Sequence, residues 1–386
     1  MTIDAATAPS PFGATACSPR GYRQDSTGGG NNAPPYSASH AMPEPSADRI
    51  RLTVAEAQTH SEHAMRGIGF DAEEARILAD HVVDAALCGY EYSGLPKLLN
   101  IVDTPDFKEP RQPLRTLKET AVSALIDGGN NVGMIAIYHA TQEAIRRATQ
   151  HGMAIICLSN SWMSGRSAYY CEMIARAGLI GIHTVSANPQ VAPFGGAKRA
   201  LGTNPIAFGF PADGDPLIID MGTSAFMGSD LQYRERLGAP IPDGVALGPD
   251  GKPTTDAGEA RKGTLLPFGG PSGGYKGFGI ALAMDAMSVL CAGARTPDDV
   301  RGYLIIAFKP DLFIPLEDYR RDLTQRIAAI KATPRLDGVD EIRIPGERST
   351  RARDQLRRDG IEIDRKIYDA LGRLAEGRHN HGAAPE

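Results

Sequence analysis

Apolar positions show no period over residues 1–48, where Ala, Ser, Pro and Gly dominate and GGGNNAPP lies at the centre; this composition predicts a disordered tail. Order is expected to begin directly afterwards. From Thr53 to Cys88 the apolar residues fall at helical spacing, notably Ala75, Leu78, Val82 and Ala85, and a break at Gly67–Phe70 divides the stretch into two helices. A strand is predicted over Ala121–Asp127, then a helix over Gly133–Gln150 whose stripe includes Ile137, Ala140 and Ala144. Next come a buried strand at Met153–Leu158, a helix at Ala168–Ala177 and a strand at Ile180–Val185. Such alternation predicts an α/β or α+β class. Farther on, Gly277–Cys291 reads as a long apolar helix and Leu312–Ile330 as an amphipathic one. The segment Asp340–Gly377, with Ile361, Ile363, Ile367, Leu371 and Leu374, is predicted to pack back on the amino-terminal helices; the polar residues 378–386 are expected to fray.

Between Gly195 and Ser224 the pattern changes character, because turn residues and short apolar runs carry uncharged hydrogen-bonding groups. Asn204 precedes Pro205 and is thereby pushed out of the helical region, so Gly202-Thr203-Asn204-Pro205 reads as a fixed turn feeding a strand at Ile206–Phe210. A second strand, Pro216–Asp220, delivers Asp220 to an edge followed by Met221-Gly222-Thr223-Ser224. That edge offers backbone donors, two hydroxyls and a carboxylate to a ligand. An ordinary hairpin with an Asp- and Ser-containing turn fits the same spacing.

Composition narrows the function. A length of 386 residues suggests two or three domains, and a formal net charge of −5 with no basic cluster argues against nucleic-acid binding. The apolar runs are shorter than the ~20 residues that span a bilayer, so no membrane partner is expected. Cysteines 17, 88, 157, 171 and 291 form no CxxC pair and are odd in number, which predicts reduced thiols and a cytoplasmic protein. Ala14-Thr15-Ala16-Cys17 lacks the basic start and apolar core of a signal peptide. No His, Cys, Asp and Glu set has metal-ligand spacing, so no metal is predicted. No GxGxxG follows a first strand, and GGYKGFG lacks the order of a phosphate-binding P-loop.

Four segments together carry a resemblance: SNSWMSGRSAYY at Ser159–Tyr170, the Gly195–Ser224 stretch, GTLLPFGGPSGGYKGFGIALAMD at Gly263–Asp285, and Pro345-Gly346-Glu347. From about Arg51 to Gly377 the chain resembles the malate/L-lactate dehydrogenase type-2 family, with its ureidoglycolate and sulfolactate dehydrogenases, diketogulonate reductases and cyclic imino-acid reductases. The resemblance implies an NAD- or NADP-dependent oxidoreductase acting on a small 2-hydroxy, 2-oxo or cyclic 2-imino carboxylic acid. It also implies a homodimer with its active site between subunits. The implied fold is a non-Rossmann cofactor domain with a predominantly antiparallel sheet, over residues 121–309 with a helical insertion at about 228–295. A helical substrate and dimer domain would be built from residues 49–120 and 310–377.

The family motif Gly-His-x-Ser-His-Gly-x-x-Arg corresponds here to Gly89-Tyr90-Glu91-Tyr92-Ser93-Gly94-Leu95-Pro96-Lys97. Tyr92 stands in place of serine, Ser93 in place of the catalytic histidine and Lys97 in place of arginine. Family Asn-Ser-x-His-x-Gly corresponds to Asn160-Ser161-Trp162-Met163-Ser164-Gly165, so a second histidine is Met163. Reduction of a carbonyl builds negative charge on oxygen, which needs a proton donor of suitable pKa. Tyr90, Tyr92 and Tyr169 are candidates if a cation lowers the phenol, with Lys97 as that cation or as a carboxylate anchor. Packed, half-exposed tyrosines at a helix end are the plainer alternative. Arg166, at the start of a helix, is a candidate carboxylate clamp or a surface salt bridge. His183 and His139 read as core histidines. The catalytic candidates are therefore Tyr92, Ser93, Lys97, Tyr90 and Arg166.

The resemblance further nominates Ser161, Gly165, Ser186, Thr203, Asn204, Asp220, Met221, Gly222, Thr223, Lys276, Gly277, Pro345, Gly346 and Glu347 for the cofactor. Lys276 can meet a phosphate as a point charge, and Asp220 and Thr223 can hold an amide or ribose hydroxyls. The GGPSGGYKG stretch reads as a longer loop ahead of Lys276. Loss of both histidines leaves a second class open, a catalytically inactive NAD(P)-binding sensor or assembly partner.

Overall fold

A computed structural model describes residues 48–292 and 301–378; the predicted tails at 1–48 and 378–386 fall almost wholly outside them. The strands are β1 (Arg49–Leu52), β2 (Arg115–Glu119), β3 (Ser123–Val132), β4 (Met153–Trp162), β5 (Ile180–Ser186), β6 (Ile206–Phe210), β7 (Leu217–Met221), β8 (Ala246–Leu247), β9 (Thr264–Leu265), β10 (Gly302–Phe308) and β11 (Ile361–Asp364). The helices are α1 (Val54–Gly67), α2 (Ala72–Leu87), α3 (Pro96–Asp103), α4 (Gly133–His151), α5 (Ser167–Arg176), α6 (Gly228–Leu237), α7 (Ala257–Lys262), α8 (Gly270–Ala292), α9 (Leu316–Lys331), α10 (Glu347–Asp359) and α11 (Arg365–Ala375). Capping boxes explain the first two helices, Thr53 with Glu56 and Asp71 with Glu74, and Gly69 at φ +100° turns the chain between them.

A seven-stranded sheet in the order β2-β3-β4-β10-β5-β6-β7 forms the centre. Only β3 and β4 run parallel, joined by α4 as the crossover, and every other neighbour pair is antiparallel. The class is thus mixed α/β with a mostly antiparallel sheet, not a doubly wound one. Ile156, Leu158, Ile305 and Ala307 of the central strands pack on Ile137, Ala140 and Ala144 of α4. β1 pairs with β11, and α11 packs on α1, closing a helical core that includes Leu78, Val82, Leu371 and Leu374. A third core, including Phe226, Leu231, Ile241 and Leu265, holds the excursion between β7 and α8.

Two details depart from the sequence pattern. GGPSGGYKG is not a loop: α8 begins at Gly270, seven residues ahead of the expected start, because two short turns fit where glycines had suggested a break. His139 is exposed on α4, since it falls opposite the Ile137–Ala140–Ala144 stripe. His183, by contrast, is fully buried on β5 between the rings of Tyr170 and Tyr303, with no hydrogen-bond partner for either nitrogen among the described residues. Burial pushes its pKa down to about 3 and keeps it neutral.

Candidate functional site

β7 is the outer strand of the sheet, so one row of its backbone groups has no ladder partner. Beside its carboxyl end lies a cavity of about 480 Å³, within the usual range for small-molecule sites. Its walls are Ile218–Gly222, the start of α5 from Gly165 to Ala168, the turn that carries Tyr90, Tyr92 and Ser93, and residues 345–353 around the start of α10. The loop before α10 sits directly on β7. Gly346, at φ +93°, would place an added Cβ 3.0 Å from the Ile218 carbonyl oxygen, so this approach needs glycine twice over.

Arg166 is the N-cap of α5. Its backbone N–H donates to His81 Nε2 at 2.7 Å, and an added Cβ at the neighbouring Gly165 would collide with the same nitrogen at 2.1 Å. Its guanidinium pairs with Asp84 on α2, leaving Nε buried without a partner among the described residues, and lies 5.9 Å from the Tyr90 ring centroid. Asp84 also meets Arg353 at 2.9 Å, Arg353 meets Glu172 at 2.7 Å, Glu172 meets Arg176, and Arg176 meets Asp215 at 3.1 Å. Alternating charges therefore form a ribbon along one side of the cavity. Burial alone would raise the Glu172 carboxyl, but its hydrogen bonds and charge contacts with Arg353 and Arg176 hold it at about 2.

Asp220 is solvent-exposed on the outer strand. The desolvation that pushes its carboxyl up is opposed there by the Ala168 N–H and by the charge of Arg166, both of which pull it down. Its Oδ2 accepts that Ala168 N–H at 2.8 Å. Tyr92 is pushed above the ordinary phenol range by burial, with Tyr90, Asp230 and Asp220 adding to the effect. The expectation that a cation lowers Tyr92 or Tyr169 is overturned, since desolvation raises both. Tyr90 is flanked by Arg166 and by Arg348, 4.8 Å from its ring centroid, and Ser349 Oγ donates to its hydroxyl at 3.3 Å.

Ten of the nominated residues line this one cavity: Tyr90, Tyr92, Ser93, Gly165, Arg166, Asp220, Met221, Gly222, Pro345 and Gly346. Lys97 is buried and absent from the lining; its Nζ donates to Ser229 Oγ at 2.9 Å, and burial lowers its pKa to about 8. Ser161 Oγ donates to the Asn131 carbonyl, Ser186 Oγ to Asp285, and Thr223 Oγ1 to the Thr203 carbonyl. Asn204, at φ 32°, fixes its turn by accepting from Ala187 N–H and donating to Ala281 and Asp285. Gly277 is packed so closely that an added Cβ would lie 2.6 Å from the Phe268 carbonyl oxygen. Lys276 is exposed on the first turns of α8, 5.9 Å from the Tyr275 ring centroid, and Glu347 pairs with Lys331 while accepting from Ile344 N–H.

Sequence reasoning missed His81, Asp84, Glu172 and Arg353. The available signal was polar: His81 and Asp84 interrupt the buried face of α2 that carries Leu78 and Val82, and charges rarely enter such a face unpaired.

A family model described as malate/L-lactate dehydrogenase matches residues 52–372. L-sulfolactate dehydrogenase of Methanocaldococcus jannaschii is 33% identical over 320 residues, covering 80% of this chain and 91% of that protein. Ureidoglycolate dehydrogenase (NAD(+)) of Escherichia coli O157:H7 is 34% identical over 276 residues, or 68% and 77% of the two chains. Among solved structures, malate dehydrogenase of Pyrococcus horikoshii OT3 superposes with a TM-score of 0.75 at 30% identity, covering 87% of this chain and 98% of that one.

Proposed function

The chain belongs to the malate/L-lactate dehydrogenase family and is an oxidoreductase acting on CH–OH groups; from that premise we propose that it moves hydride between NAD or NADP and a small 2-hydroxy or 2-oxo carboxylic acid. A cyclic 2-imino acid fits the same description, because an imine nitrogen can arrive already protonated. The observation that carries this reading is the convergence of four segments, Tyr90–Ser93, Gly165-Arg166, Asp220–Gly222 and Pro345-Gly346, on one cavity.

The residues present fit a nicotinamide. The unpaired edge of β7 offers backbone donors and acceptors to a carboxamide, and the glycines at 222 and 346 keep side chains out of the way. When bound, the cofactor supplies the hydride. Arg166 then orients the substrate carboxylate, since it lines the cavity and its guanidinium is fixed by Asp84. Tyr90 and Ser93 flank the reacting carbon, and the Arg353 ribbon holds α10 against α5 so that the cavity keeps its shape. Lys276 is reserved for a cofactor phosphate from its exposed position.

A homodimer belongs to the same proposal. It is supported by the outward face of α8, where Leu282, Val289 and Leu290 are each more than half exposed. No described helix is long and apolar enough to cross a membrane, and the cytoplasm is the compartment proposed. The test is NADH and NADPH binding by fluorescence, followed by oxidation against 2-oxo, cyclic 2-imino and sulfonated acids. Binding with turnover supports the reading, whereas binding without turnover on the whole panel moves it to a sensor.

A further inference from the structure

Arg166 is held from α2 at two points. Its guanidinium pairs with Asp84, and its backbone N–H donates to His81 Nε2 at 2.7 Å. Residues 81 and 84 are three apart and share a face of α2, so both grips come from one rigid element. The segment in their grasp is fixed along its length. On one side of Arg166 the Tyr170 hydroxyl donates to the Ser164 carbonyl at 2.6 Å, and on the other the Ala168 N–H donates to Asp220 at 2.8 Å. Gly165, at φ +76°, brings the chain so close to the imidazole that no side chain fits between them.

His81 is 1% exposed and lies behind the cavity wall, with its ring centroid 4.7 Å from that of Tyr169 and 5.4 Å from that of Tyr170. A backbone N–H can only donate, so Nε2 must be the unprotonated nitrogen and the ring proton sits on Nδ1. Nδ1 is buried with no hydrogen-bond partner among the described residues. As packing alone the imidazole is therefore a poor choice, because an apolar ring of similar shape would fill the space without an orphaned donor. What the imidazole adds is the acceptor at Nε2. Burial, with the charges of Arg166 and Lys97 adding to it, pushes the ring well below the ordinary histidine range, so that acceptor stays available at any working pH.

We propose that His81 is a positioning residue of this oxidoreductase: by holding the Arg166 backbone on Nε2 while Asp84 holds the guanidinium, it sets where that guanidinium meets the substrate carboxylate. The assignment rests on the functional reading above, in which Arg166 orients the substrate. An ion pair at the far end alone leaves the long arginine side chain free to pivot about Asp84. Anchoring the backbone as well fixes both ends, and a guanidinium meeting a carboxylate through two parallel hydrogen bonds tolerates little displacement. His81 exchanges no proton in this role and touches no substrate atom.

The test is a double-mutant cycle in the full-length protein, with His81→Phe, Arg166→Ala and the two combined. His81→Phe keeps an aromatic ring and removes the acceptor. For a 2-oxo acid kcat/KM should fall ~10-fold, mainly through KM, with NADH or NADPH affinity within about threefold of wild type. In the Arg166→Ala background the same change should cost less than about twofold, because the group it positions is gone. A full second loss there, or no loss in the wild-type background, overturns the proposal and leaves the histidine as packing. His81→Gln, which offers an amide oxygen to the Arg166 N–H, should recover part of the KM. Nitrogen-15 NMR of the wild-type imidazole needs no variant: His81 should show the Nδ1–H tautomer and no titration between about pH 5 and 8. An Nε2–H tautomer overturns the proposal even if the variants fail to fold. Arg166→Ala with unchanged turnover would instead sink the functional reading of Arg166, and this proposal with it.

Discussion

The two long walls of the cavity are built from different materials. The β7 edge and the Pro345-Gly346 loop present backbone, glycine and one carboxyl; the opposite wall, from Tyr90 to Ser93 and from Arg166 to Arg353, presents side chains in ion pairs. The first wall carries Asp220-Met221-Gly222 and Pro345-Gly346, which belong to two of the segments that resemble the family. The second carries Tyr92 and Ser93, with Lys97 buried behind it. Backbone contacts depend on the fold and survive side-chain exchange, whereas a site made of side chains can be rewritten one residue at a time. If the first wall holds the nucleotide and the second the substrate, as proposed, cofactor binding and substrate chemistry should be separable.

Removing Arg166 is the strongest way to break that contrast. Arg166→Ala leaves Asp84 with Arg353 alone and removes the proposed carboxylate fork, so kcat/KM should fall by ~10²–10³-fold while nucleotide binding stays near wild type. Arg166→Lys keeps the charge without the fork and should recover only part of the loss. A parallel fall in nucleotide affinity, measured by fluorescence, would show that the two walls act as one.

Lys97 tests the ionic wall from behind. Its native pKa, about 8, lies below the 10.5 of an ordinary lysine, so the unfolded chain binds more protons between those values. Stability contributed by this group is lowest below pH 8, where burial of the charge costs about 3 kcal/mol, and it recovers as pH rises toward 10.5. Lys97→Met should thus stabilise the protein by ~2–3 kcal/mol at pH 7, with the advantage shrinking through that window. Thermal denaturation at pH 7 and pH 10 measures both halves, and a variant less stable at pH 7 would show that the ammonium has a partner beyond Ser229.

Much of the fold was legible because it follows from periodicity. β6 is found at Ile206–Phe210 as expected, and the α1–α2 break falls where Gly67–Phe70 predicted it. The GGPSGGYKG helix was not legible, because its glycine content masks a helix that already begins at Gly270. At the site, the backbone wall could be read from turn residues and motif order. The ionic ribbon could not, since Asp84, Glu172 and Arg353 come from three helices and sequence spacing does not reveal which charges meet.

Gly346→Ala probes the backbone wall. A side chain at φ +93°, 3.0 Å from the Ile218 carbonyl, forces strain of ~1–2 kcal/mol, which should lower Tm by a few degrees. If this loop helps to hold the nicotinamide, nucleotide affinity should fall more than kcat. An unchanged affinity with lowered kcat would place Gly346 on the substrate side instead.

Tyr92→Phe should have the smallest effect. Burial raises the Tyr92 phenol beyond its ordinary value, so it remains protonated through neutral pH and releases its proton poorly. Loss of the hydroxyl breaks no ion pair among the described residues and removes no wall of the cavity, and turnover should stay within about threefold of wild type, or roughly 0.7 kcal/mol. A donor role predicts a loss of ~10²-fold or more with an altered pH profile.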